Sequence, residues 1–427
     1  MNFESLNLPP ALLAAVRDAG YAEATSVQQH AIPPALEGRD LMVSSSTGSG
    51  KTASFVLPAL TRVLAARTNG APRRVGGPRI LVLVPTRELA IQVSKATLSY
   101  GRHVRGLRVA TVVGGVPYGL QLRQLSGPLD VLIATPGRLM DHMRSGKAVL
   151  SNVEMLVLDE ADRMLDMGFI DDIQFIGQAL PPNRQTLMTS ATFGGGVARL
   201  AEGLLRDPLR VDVASHTDTH ADIEQRLHWA DDLQHKNALL DHLLTAREVD
   251  QALVFTRTQR DADQLADRLA EMGHRVAALH GGMPQGRRNR VLHGLRTRNL
   301  RVLVATDVAA RGIDVPSISH VINYGLPMKA EDYVHRIGRT GRAGRSGLAV
   351  TLAERRDAAM IHTIQRFTTQ RIPAAVVAGL EPRRPEPSSQ TRPAGQRPRG
   401  KAGFGKPAFG KKKPPAGGRE ARRAARQ

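Results

Sequence analysis

The 427-residue sequence contains no cysteine, few aromatic residues and no long apolar run. Without cysteine, the chain can form neither disulfide bonds nor thiolate metal sites, and it has no cysteine nucleophile. Aromatic residues make up 4% and hydrophobic residues 41% of the chain, which is typical of a globular protein. No stretch approaches the roughly 18 consecutive apolar residues of a membrane span. The first ten residues also lack the basic and apolar regions of a signal peptide. We therefore expect a cytoplasmic protein with no membrane contact, and the length predicts two or three domains.

Positive charge is concentrated at the carboxyl-terminal end. The chain has 59 Lys and Arg against 39 Asp and Glu, a formal net charge of +20. Residues 381–427 carry +11 of this charge, and their only large apolar side chains are Phe404 and Phe409. Such a segment cannot bury enough surface to offset the entropy of ordering. We predict a disordered basic tail over residues 373–427. It is either a solubilising segment or, as the clustered cations favour, an arm that binds polyanions.

Short runs of Val, Ile and Leu alternate with longer stretches of helical periodicity. This pattern predicts parallel strands joined by crossover helices, and hence an α/β fold. The predicted strands are Leu41–Ser44, Ile80–Val84, Val131–Ala134, Met155–Leu158, Thr186–Met188, Ala252–Phe255, Val276–Leu279, Val302–Ala305, His320–Asn323 and Leu348–Thr351. The polar run Asp207–Asp222 has no sustained period and contains the predicted linker, residues 213–221. The sequence thus predicts two α/β domains, residues 1–212 and 222–372.

A phosphate-binding loop is predicted where the first strand ends. The segment TGSGKT, residues 47–52, lies between that strand and a helical stretch. Small residues allow backbone amides to surround phosphates, and the loop residues predicted to do so are Ser46, Thr47, Gly48, Ser49 and Gly50. Lys51 would reach the phosphate charge, and the Thr52 hydroxyl would ligate Mg²⁺. The generic pattern has glycine where Ser45 stands, so a simple Gly-rich turn is the alternative for this motif alone.

Two adjacent carboxylates, Asp159 and Glu160, directly follow the predicted strand Met155–Leu158. They therefore lie at the carboxyl end of a buried strand, where α/β sheets bind ligands. Asp159 would hold Mg²⁺, directly or through water, and Glu160 would orient or deprotonate the attacking water. An acidic pair after a strand is more often a helix cap. The phosphate-binding loop upstream favours the catalytic interpretation.

Ten motifs in order make the chain resemble the DEAD-box RNA helicases of superfamily 2. They are GYAEATSVQ, SSTGSGKT, PTRELA, GG, TPGR, DEAD, SAT, LVFTRT, ATDVAARGID and HRIGRTGR, within residues 1–370. The resemblance implies two tandem RecA-like domains, the cofactors ATP and Mg²⁺, and RNA-stimulated hydrolysis of ATP to ADP and phosphate. The short amino-terminal extension and the basic tail are most similar to the bacterial RhlE type.

The resemblance also assigns residues around the nucleotide. The Gln28 amide matches the N6 and N7 edge of adenine. Tyr21 would stack on the base, with Phe3 as a supporting aromatic residue. Arg339 and Arg342 would reach the γ-phosphate across the cleft as arginine fingers. The remaining residues implied to contact ribose or to couple the domains are Asp307, Arg311, Asp162, Ser190, Thr192 and His335.

RNA contacts are implied on both domains. The candidate residues are Thr86, Arg87, Gly115, Thr135, Gly137 and Arg138 in the first domain, and Thr256, Arg257, Gly281, Gln285, Arg288 and Thr306 in the second. Hydroxyls, backbone amides and guanidinium groups bind phosphate and 2′-hydroxyl, so we expect little sequence specificity for single strands or short duplexes. The alternative is that several of these residues only form turns.

Departures from the family pattern are few. Ser45 and Ser46 stand where Ala and Gln are common, and Ala24 stands where the adenine motif usually has Pro. We expect these differences to alter nucleotide affinity and nothing more. Two other functions are compatible with these residues: an RNA clamp or annealing protein, and a DNA helicase. We expect a monomeric core, with proteins of ribosomal precursors or of RNA decay as candidate partners.

Overall fold

The computed structural model describes residues 2–44, 49–68, 77–213, 223–310, 313, 315, 317–341 and 345–385. Two all-parallel sheets organise these residues, and both belong to one unit of the chain. The predicted fold class, two α/β domains in tandem, is confirmed. Within the described ranges, no helix is both long and apolar enough to cross a membrane.

The first sheet has seven strands in the order β3-β4-β2-β5-β6-β1-β7. The strands are β1 Leu41–Ser44, β2 Ile80–Leu83, β3 Val109–Val112, β4 Val131–Ala134, β5 Met155–Leu158, β6 Gln185–Ser190 and β7 Leu209–Asp212. Strands β2, β4 and β5 are buried along their whole length, because helices cover both faces of the sheet. Successive residues of β2 alternate between two hydrophobic clusters, one on each face.

Nine helices of the first domain surround this sheet in the described residues. They are α1 Pro10–Asp18, α2 Ser26–Leu36, α3 Lys51–Thr68, α4 Arg87–Tyr100, α5 Tyr118–Leu125, α6 Pro136–Arg144, α7 Ala161–Asp166, α8 Ile170–Gln178 and α9 Gly195–Leu204, after a 3₁₀ turn at Phe3–Leu6. Helices α3, α4, α6 and α7 begin just beyond the carboxyl ends of strands. Their first residues therefore lie at the edge of the sheet where the predicted motifs fall.

The second sheet has six strands in the order β10-β11-β9-β12-β13-β8. They are β8 Ile223–Ala230, β9 Gln251–Thr256, β10 Val276–Leu279, β11 Val302–Thr306, β12 Ile318–Asn323 and β13 Gly347–Glu354. Its helices are α10 Leu233–Thr245, α11 Gln259–Glu271, α12 Gln285–Arg296, α13 Asp307–Ala310, α14 Ala330–Ile337 and α15 Ala358–Thr368, with a 3₁₀ turn at Arg355–Asp357. Apart from the additional strand β7, the two sheets have the same strand order.

Three strands were not predicted from the sequence. Strand β7 lies inside the polar run Asp207–Asp222, and among its residues only Val211 is buried. It is an edge strand beside β1, so one buried side chain is enough to hold it. Strand β8 begins at Ile223, just after the predicted linker, and β3 is only partly buried, with Ala110 and Val112 as its buried residues.

The segment 373–385 packs against the second domain instead of starting the tail at residue 373. The Leu227 amide donates to the Pro373 carbonyl at 2.8 Å, and the Ala375 amide donates to the Leu227 carbonyl at 2.8 Å. Val377 and Leu380 pack against the second-domain core. We call residues 373–385 the strap; the rest of the predicted tail, from residue 386, lies outside the described residues.

Candidate active site

The carboxylate of Asp159 lies at the centre of the first-domain site. Leu158 pairs with Met188 in the sheet, which places the next residues, Asp159 and Thr189, side by side. The Thr189 hydroxyl donates to Asp159 Oδ1 at 2.6 Å and accepts the Glu160 amide at 3.1 Å. Burial and the neighbouring Glu160 raise the pKa of Asp159 to about 6, against the opposing effects of Thr189 and Lys51. Sequence reasoning missed Thr189, although it immediately precedes the SAT motif.

Glu160 adopts a left-handed backbone conformation, with φ of 57° and ψ of 55°. This conformation is unfavourable for a residue with a side chain and occurs mostly where the surroundings enforce it. Here the hydrogen bond from its amide to Thr189 holds it, and α7 begins at the next residue. The strain therefore falls on one of the two residues predicted to act in hydrolysis.

The start of α3 brings the phosphate-binding loop towards these carboxylates. Lys51 is the first residue of α3, and its charge lowers the pKa of Asp159. Gly50 has a φ of +91°, and a Cβ there would lie 2.5 Å from Gln28 Nε2, so only glycine fits. Ser49 and Thr52 are half-buried beside it. The predicted loop residues Ser46, Thr47 and Gly48 lie outside the described residues.

The predicted adenine-reading residues are only partly exposed to a ligand. Gln28 is buried; its Oε1 accepts the Thr25 amide at 3.0 Å, and its Nε2 donates to the Gly50 carbonyl at 3.2 Å. Adenine would have to replace these bonds. Phe3 is 5% exposed within the hydrophobic core, so it supports the fold and offers almost no surface to a base. Tyr21 is 52% exposed and keeps a ring face available for stacking, with Tyr100 at 6.3 Å.

The residues present fit a Mg²⁺ ion that is bound partly by the protein and partly by phosphate and water. Among the described residues, no group of three His, Asp or Glu side chains could form a protein cage for a metal. Mg²⁺ commonly binds one or two protein oxygens and completes its shell with water and phosphate. The buried Asp159, destabilised as an anion by burial and by Glu160, is suited to bind a cation there, with Thr52 on the adjacent helix.

In the second domain, Arg336 organises the region predicted to face the nucleotide. Its side chain is fully buried and binds both carboxylate oxygens of Asp307, at 2.6 and 2.7 Å. Its guanidinium also lies 4.8 Å from the centre of the Phe255 ring. Asp307, predicted to contact ribose, is therefore already engaged by Arg336. Arg336 belongs to the motif HRIGRTGR, in which nothing in the sequence distinguishes it from the neighbouring arginines.

The first predicted arginine finger, Arg339, is bound to its own domain in this structure. It donates to the carbonyls of His335 at 3.2 Å and Ile313 at 3.1 Å and is 6% exposed. It lines a small cavity together with Arg163 of the first domain and His335. Arg342 and Arg311 lie outside the described residues.

Helix α7 of the first domain contacts α14 of the second. Asp162 and His335 approach within 3.7 Å, the pair that the resemblance implies. Arg163 binds Asp332, with both side chains buried, and Lys329 binds Asp166 at the more exposed edge. Ser190 and Thr192, also implied to couple the domains, contact each other: the Ser190 hydroxyl donates to the Thr192 carbonyl at 2.6 Å.

The predicted RNA residues of the first domain come together at the ends of β2, β3 and β4. The Arg87 guanidinium lies against Gly115, whose φ is +70° and whose added Cβ would meet it at 2.3 Å. Arg138 donates to the Val116 carbonyl at 3.1 Å in the same turn. Thr86 and Thr135 precede the first residues of α4 and α6, and Gly137 lies in the first turn of α6. Three separated motifs thus form one surface.

The second-domain candidates follow β9, β10 and β11 in the same way. Thr256 ends β9 and donates to the Thr258 carbonyl at 3.3 Å, and Arg257 binds Asp357 at 3.2 Å. Thr306 ends β11, and Gly281 lies beside the Gln259 amide. These residues lie at the carboxyl ends of neighbouring strands, as the first-domain candidates do.

Four residues make direct contacts between these two surfaces. Arg87 donates to Gln285, and Arg288 binds Glu88 at 2.7 Å. The side chains of Arg288 and Glu88 are 12% and 11% exposed. Arg87, Gln285 and Arg288, predicted as RNA contacts, are therefore engaged with the opposite domain in this structure, and RNA would have to share or replace those bonds.

Family comparisons agree with this geometry. Residues 25–200 match the DEAD/DEAH box helicase family and residues 235–344 match the helicase conserved C-terminal domain. The chain is 44% identical to the ATP-dependent RNA helicase SrmB of Escherichia coli over 91% of this chain and 86% of that protein. The chain belongs to the DEAD-box helicases. This helicase is also 42% identical to RhlB of Xanthomonas campestris, over 88% of this chain and 66% of the relative.

Solved helicase structures share the architecture. Dbp5 of S. cerevisiae bound to RNA and ADP BeF3 matches 87% of this helicase and 95% of that chain, with 29% identity and a TM-score of 0.78. Mss116 bound to ssRNA and UDP-BeF matches 91% of this helicase and 80% of that chain, with 25% identity and a TM-score of 0.79. The predicted family is confirmed; the RhlE type stays a prediction.

Proposed function

We propose that this DEAD-box helicase hydrolyses ATP between its two domains and uses their closure to separate RNA strands locally. It is an ATP-dependent RNA helicase, as SrmB and RhlB are. The observation that carries the proposal is the direct contact between α7, which follows Asp159 and Glu160, and α14, which contains the start of the arginine-rich motif. In that contact Arg163 binds Asp332 and Asp162 meets His335.

The first domain supplies the chemistry of the phosphate. Lys51 at the start of α3 binds phosphate charge, and Glu160 orients the attacking water and accepts its proton. Thr189 holds Asp159 by hydrogen bonding to its carboxylate. A Mg²⁺ ion held by Asp159 and Thr52 would neutralise developing charge on the phosphates. Arg339, once it leaves the carbonyls of its own domain, and Arg342 supply positive charge to the nucleotide from the second domain.

Closure couples nucleotide to RNA. ATP contacts groups on both domains, and RNA lies across both candidate surfaces, so each ligand favours the closed form. Their affinities are then coupled reciprocally, typically by about 1–3 kcal/mol. The contacts of Arg87 with Gln285 and of Arg288 with Glu88 change when RNA occupies these surfaces, which links RNA binding to the domain interface.

The RNA surface recognises the backbone. Arg138 and the turn at Gly115 present guanidinium and amide groups in the first domain, and Thr256 and Arg257 present similar groups in the second. These groups bind phosphate and 2′-hydroxyl, so single strands and short duplexes bind with little sequence preference. The basic segment after residue 386 increases the local concentration of RNA, an effect that weakens steeply with salt.

The direct test compares Glu160→Gln and Lys51→Ala with the wild-type helicase. Glu160→Gln is expected to bind ATP and RNA and to stop repeated unwinding, because the proton acceptor is lost. Lys51→Ala is expected to abolish ATP turnover while RNA binding remains. Unwinding by Glu160→Gln over repeated cycles at the wild-type rate would instead support an RNA clamp or annealing protein.

The choice between RNA and DNA as the substrate is tested by measuring ATP turnover with RNA and with single-stranded DNA of the same sequence. We expect stimulation by RNA alone, because 2′-hydroxyl contacts distinguish the two. Equal stimulation would favour a DNA helicase.

We further propose a cytoplasmic, monomeric core that acts on ribosomal precursors or with RNA-decay proteins. Both halves of the site come from one chain, which supports the monomer, and crosslinking in cells would identify the bound transcripts.

A further inference from the structure

A second cavity lies in the second domain at the position that corresponds to the nucleotide site of the first. In the first sheet, β2, β5, β6 and β1 are neighbours, and the nucleotide motifs follow the last three of them. In the second sheet, β9, β12, β13 and β8 have the same order. A cavity of about 310 Å³ opens at their carboxyl ends and is lined by residues that follow β9, β12 and β13 and by α10 and α11.

The residues of this cavity exclude a second ATPase site. Tyr324 and Gly325 follow β12 in the place where Asp159 and Glu160 follow β5. The start of α10 is capped by the Asp232 carboxylate, which accepts the His235 amide at 2.8 Å. A carboxylate in that position repels a triphosphate, and Tyr324 and Gly325 provide no carboxylate where Asp159 and Glu160 stand in the first domain. The cavity is therefore suited to another ligand.

A buried ammonium group faces this cavity. Lys236 is 5% exposed and lines the cavity. Its nearest acid is Glu354 at 3.7 Å, and it lies 5.3 Å from the centre of the Tyr324 ring. Burial lowers the pKa of Lys236, although Asp357 and Glu354 act in the opposite direction. Because Glu354 lies beyond hydrogen-bond distance, an anion in the cavity would offer this charge a closer acceptor.

Two arginines at the rim of the cavity are more exposed than the acids with which they pair, although the exposed Asp261 also lines the cavity. The side chains of Arg356 and Arg257 are 74% and 46% exposed, whereas those of their partners Glu354 and Asp357 are 14% and 7% exposed. The exposed Leu233 supplies an apolar surface at the mouth. A ligand entering the cavity would therefore meet positive charge together with an apolar wall.

The strap continues this positive surface away from the cavity. Arg355, next to Arg356, donates to the Pro385 carbonyl at 2.7 Å, and the amides of Arg383 and Arg384 donate to Asp231 at the start of α10. The chain after Pro385 carries twelve Lys or Arg against two Glu. Arg257 at the other side of the cavity belongs to the proposed RNA surface. The cavity thus lies between that surface and the point where the basic segment begins.

We propose that this cavity binds a nucleotide of the RNA strand that extends beyond the core RNA surface. Lys236, Arg257 and Arg356 bind its phosphate, and Leu233 with the Tyr324 ring provides the wall for its base. The volume is within the range of small-molecule pockets. This inference rests on the proposed RNA surface only through the position of Arg257. It assigns to the second domain the binding of RNA that flanks the core surface.

The test uses the full chain with two RNA probes. One is the shortest oligouridine that still stimulates ATP hydrolysis, and the other is the same strand lengthened at its 5′ or 3′ end. Arg356→Glu is expected to weaken binding of one lengthened strand about fivefold and to leave the short strand nearly unchanged. Lys236→Met, which keeps most of the apolar stem, is expected to act in the same way.

Arg226→Glu is the matched control. Arg226 pairs with Glu224 two residues earlier, as Arg356 pairs with Glu354, so both variants change the charge of the second domain equally and break the same kind of ion pair. Equal effects of Arg226→Glu and Arg356→Glu would overturn the proposal. A gain from lengthening that is unchanged in Arg356→Glu and Lys236→Met would also overturn it, because the extended strand would then bind elsewhere. If the proposed core RNA surface were wrong, the short strand would also fail to bind as expected. That outcome is distinguishable from a failure of the cavity proposal, which concerns only the lengthened strand.

Discussion

The Thr189 hydroxyl donates to Oδ1 of Asp159 at 2.6 Å and accepts the amide of Glu160. One side chain therefore positions both residues on which hydrolysis depends. Thr189→Val keeps the shape of the side chain and removes these bonds. We expect kcat for ATP to fall about tenfold, because hydrogen bonds to charged groups are among the stronger ones. Thr189→Ser, which keeps the hydroxyl, is the control, and steady-state kinetics with saturating RNA is the measurement. Equal loss in both variants would show that packing matters and the hydroxyl does not.

The buried contact of Arg163 with Asp332 should couple the domains. Asp332→Asn keeps the shape and removes the charge, which leaves the Arg163 guanidinium buried against a neutral group. We expect the RNA concentration for half-maximal ATPase stimulation to rise about tenfold. Lys329→Ala removes an ion pair in the same interface, but Lys329 is 59% exposed, so only a small change is expected. The affinity for nucleotide in the absence of RNA should be unchanged in both variants. A loss of that affinity would contradict the coupling role.

Gly115 should be required for RNA binding while its neighbour Gly114 is not. Gly115 has a φ of +70° and would place a Cβ against the Arg87 guanidinium at 2.3 Å, whereas a Cβ at Gly114 would make an ordinary contact at 3.6 Å. Gly115→Ala therefore displaces Arg87 and strains the turn, and we expect about a tenfold loss of RNA affinity. Fluorescence anisotropy with labelled RNA checks this. Gly114→Ala binding as poorly as Gly115→Ala would mean that the whole turn, and not the contact with Arg87, is sensitive.

Burial lowers the pKa of His142 below its ordinary value, with Arg138 as a second cause. The unfolded chain therefore binds a proton on this residue before the folded chain does, and stability falls as the pH drops below about 6.5. His142 stacks on Tyr118 at 4.1 Å, and neither ring nitrogen has a hydrogen-bond partner among the described residues. His142→Phe should thus raise the unfolding temperature more at about pH 5.5 than at about pH 8. The same gain at both values would contradict this account.

Much of the fold could be predicted from the sequence, since buried parallel strands form continuous apolar runs. All ten predicted strands are present, with ends that differ by a few residues. The edge strand β7 was missed because Val211 is its only buried side chain. The strap was missed because two apolar residues, Val377 and Leu380, hold a segment whose composition is typical of a tail.

The site was predictable where one motif carries its own chemistry, as with Lys51 and Asp159. It was not predictable where two distant segments decide a residue's role. Thr189 acts because the register of β5 and β6 places it beside Asp159. Arg336 differs from Arg339 in its partners: Arg336 binds Asp307, whereas Arg339 donates to backbone carbonyls. Phe3 has the residue type expected for base stacking, but packing encloses its ring.

The distance between the two domains tests the central claim most directly. Because the chain has no cysteine, one cysteine at Lys147 and one at Glu271, both exposed, allow a fluorophore pair to be attached without removing native thiols. Single-molecule energy transfer is measured without ligand, with an ATP analogue, with RNA, and with both. We predict that both ligands together give a single short-distance population, while either ligand alone gives a smaller shift. The same distance distribution in all four conditions would contradict the account.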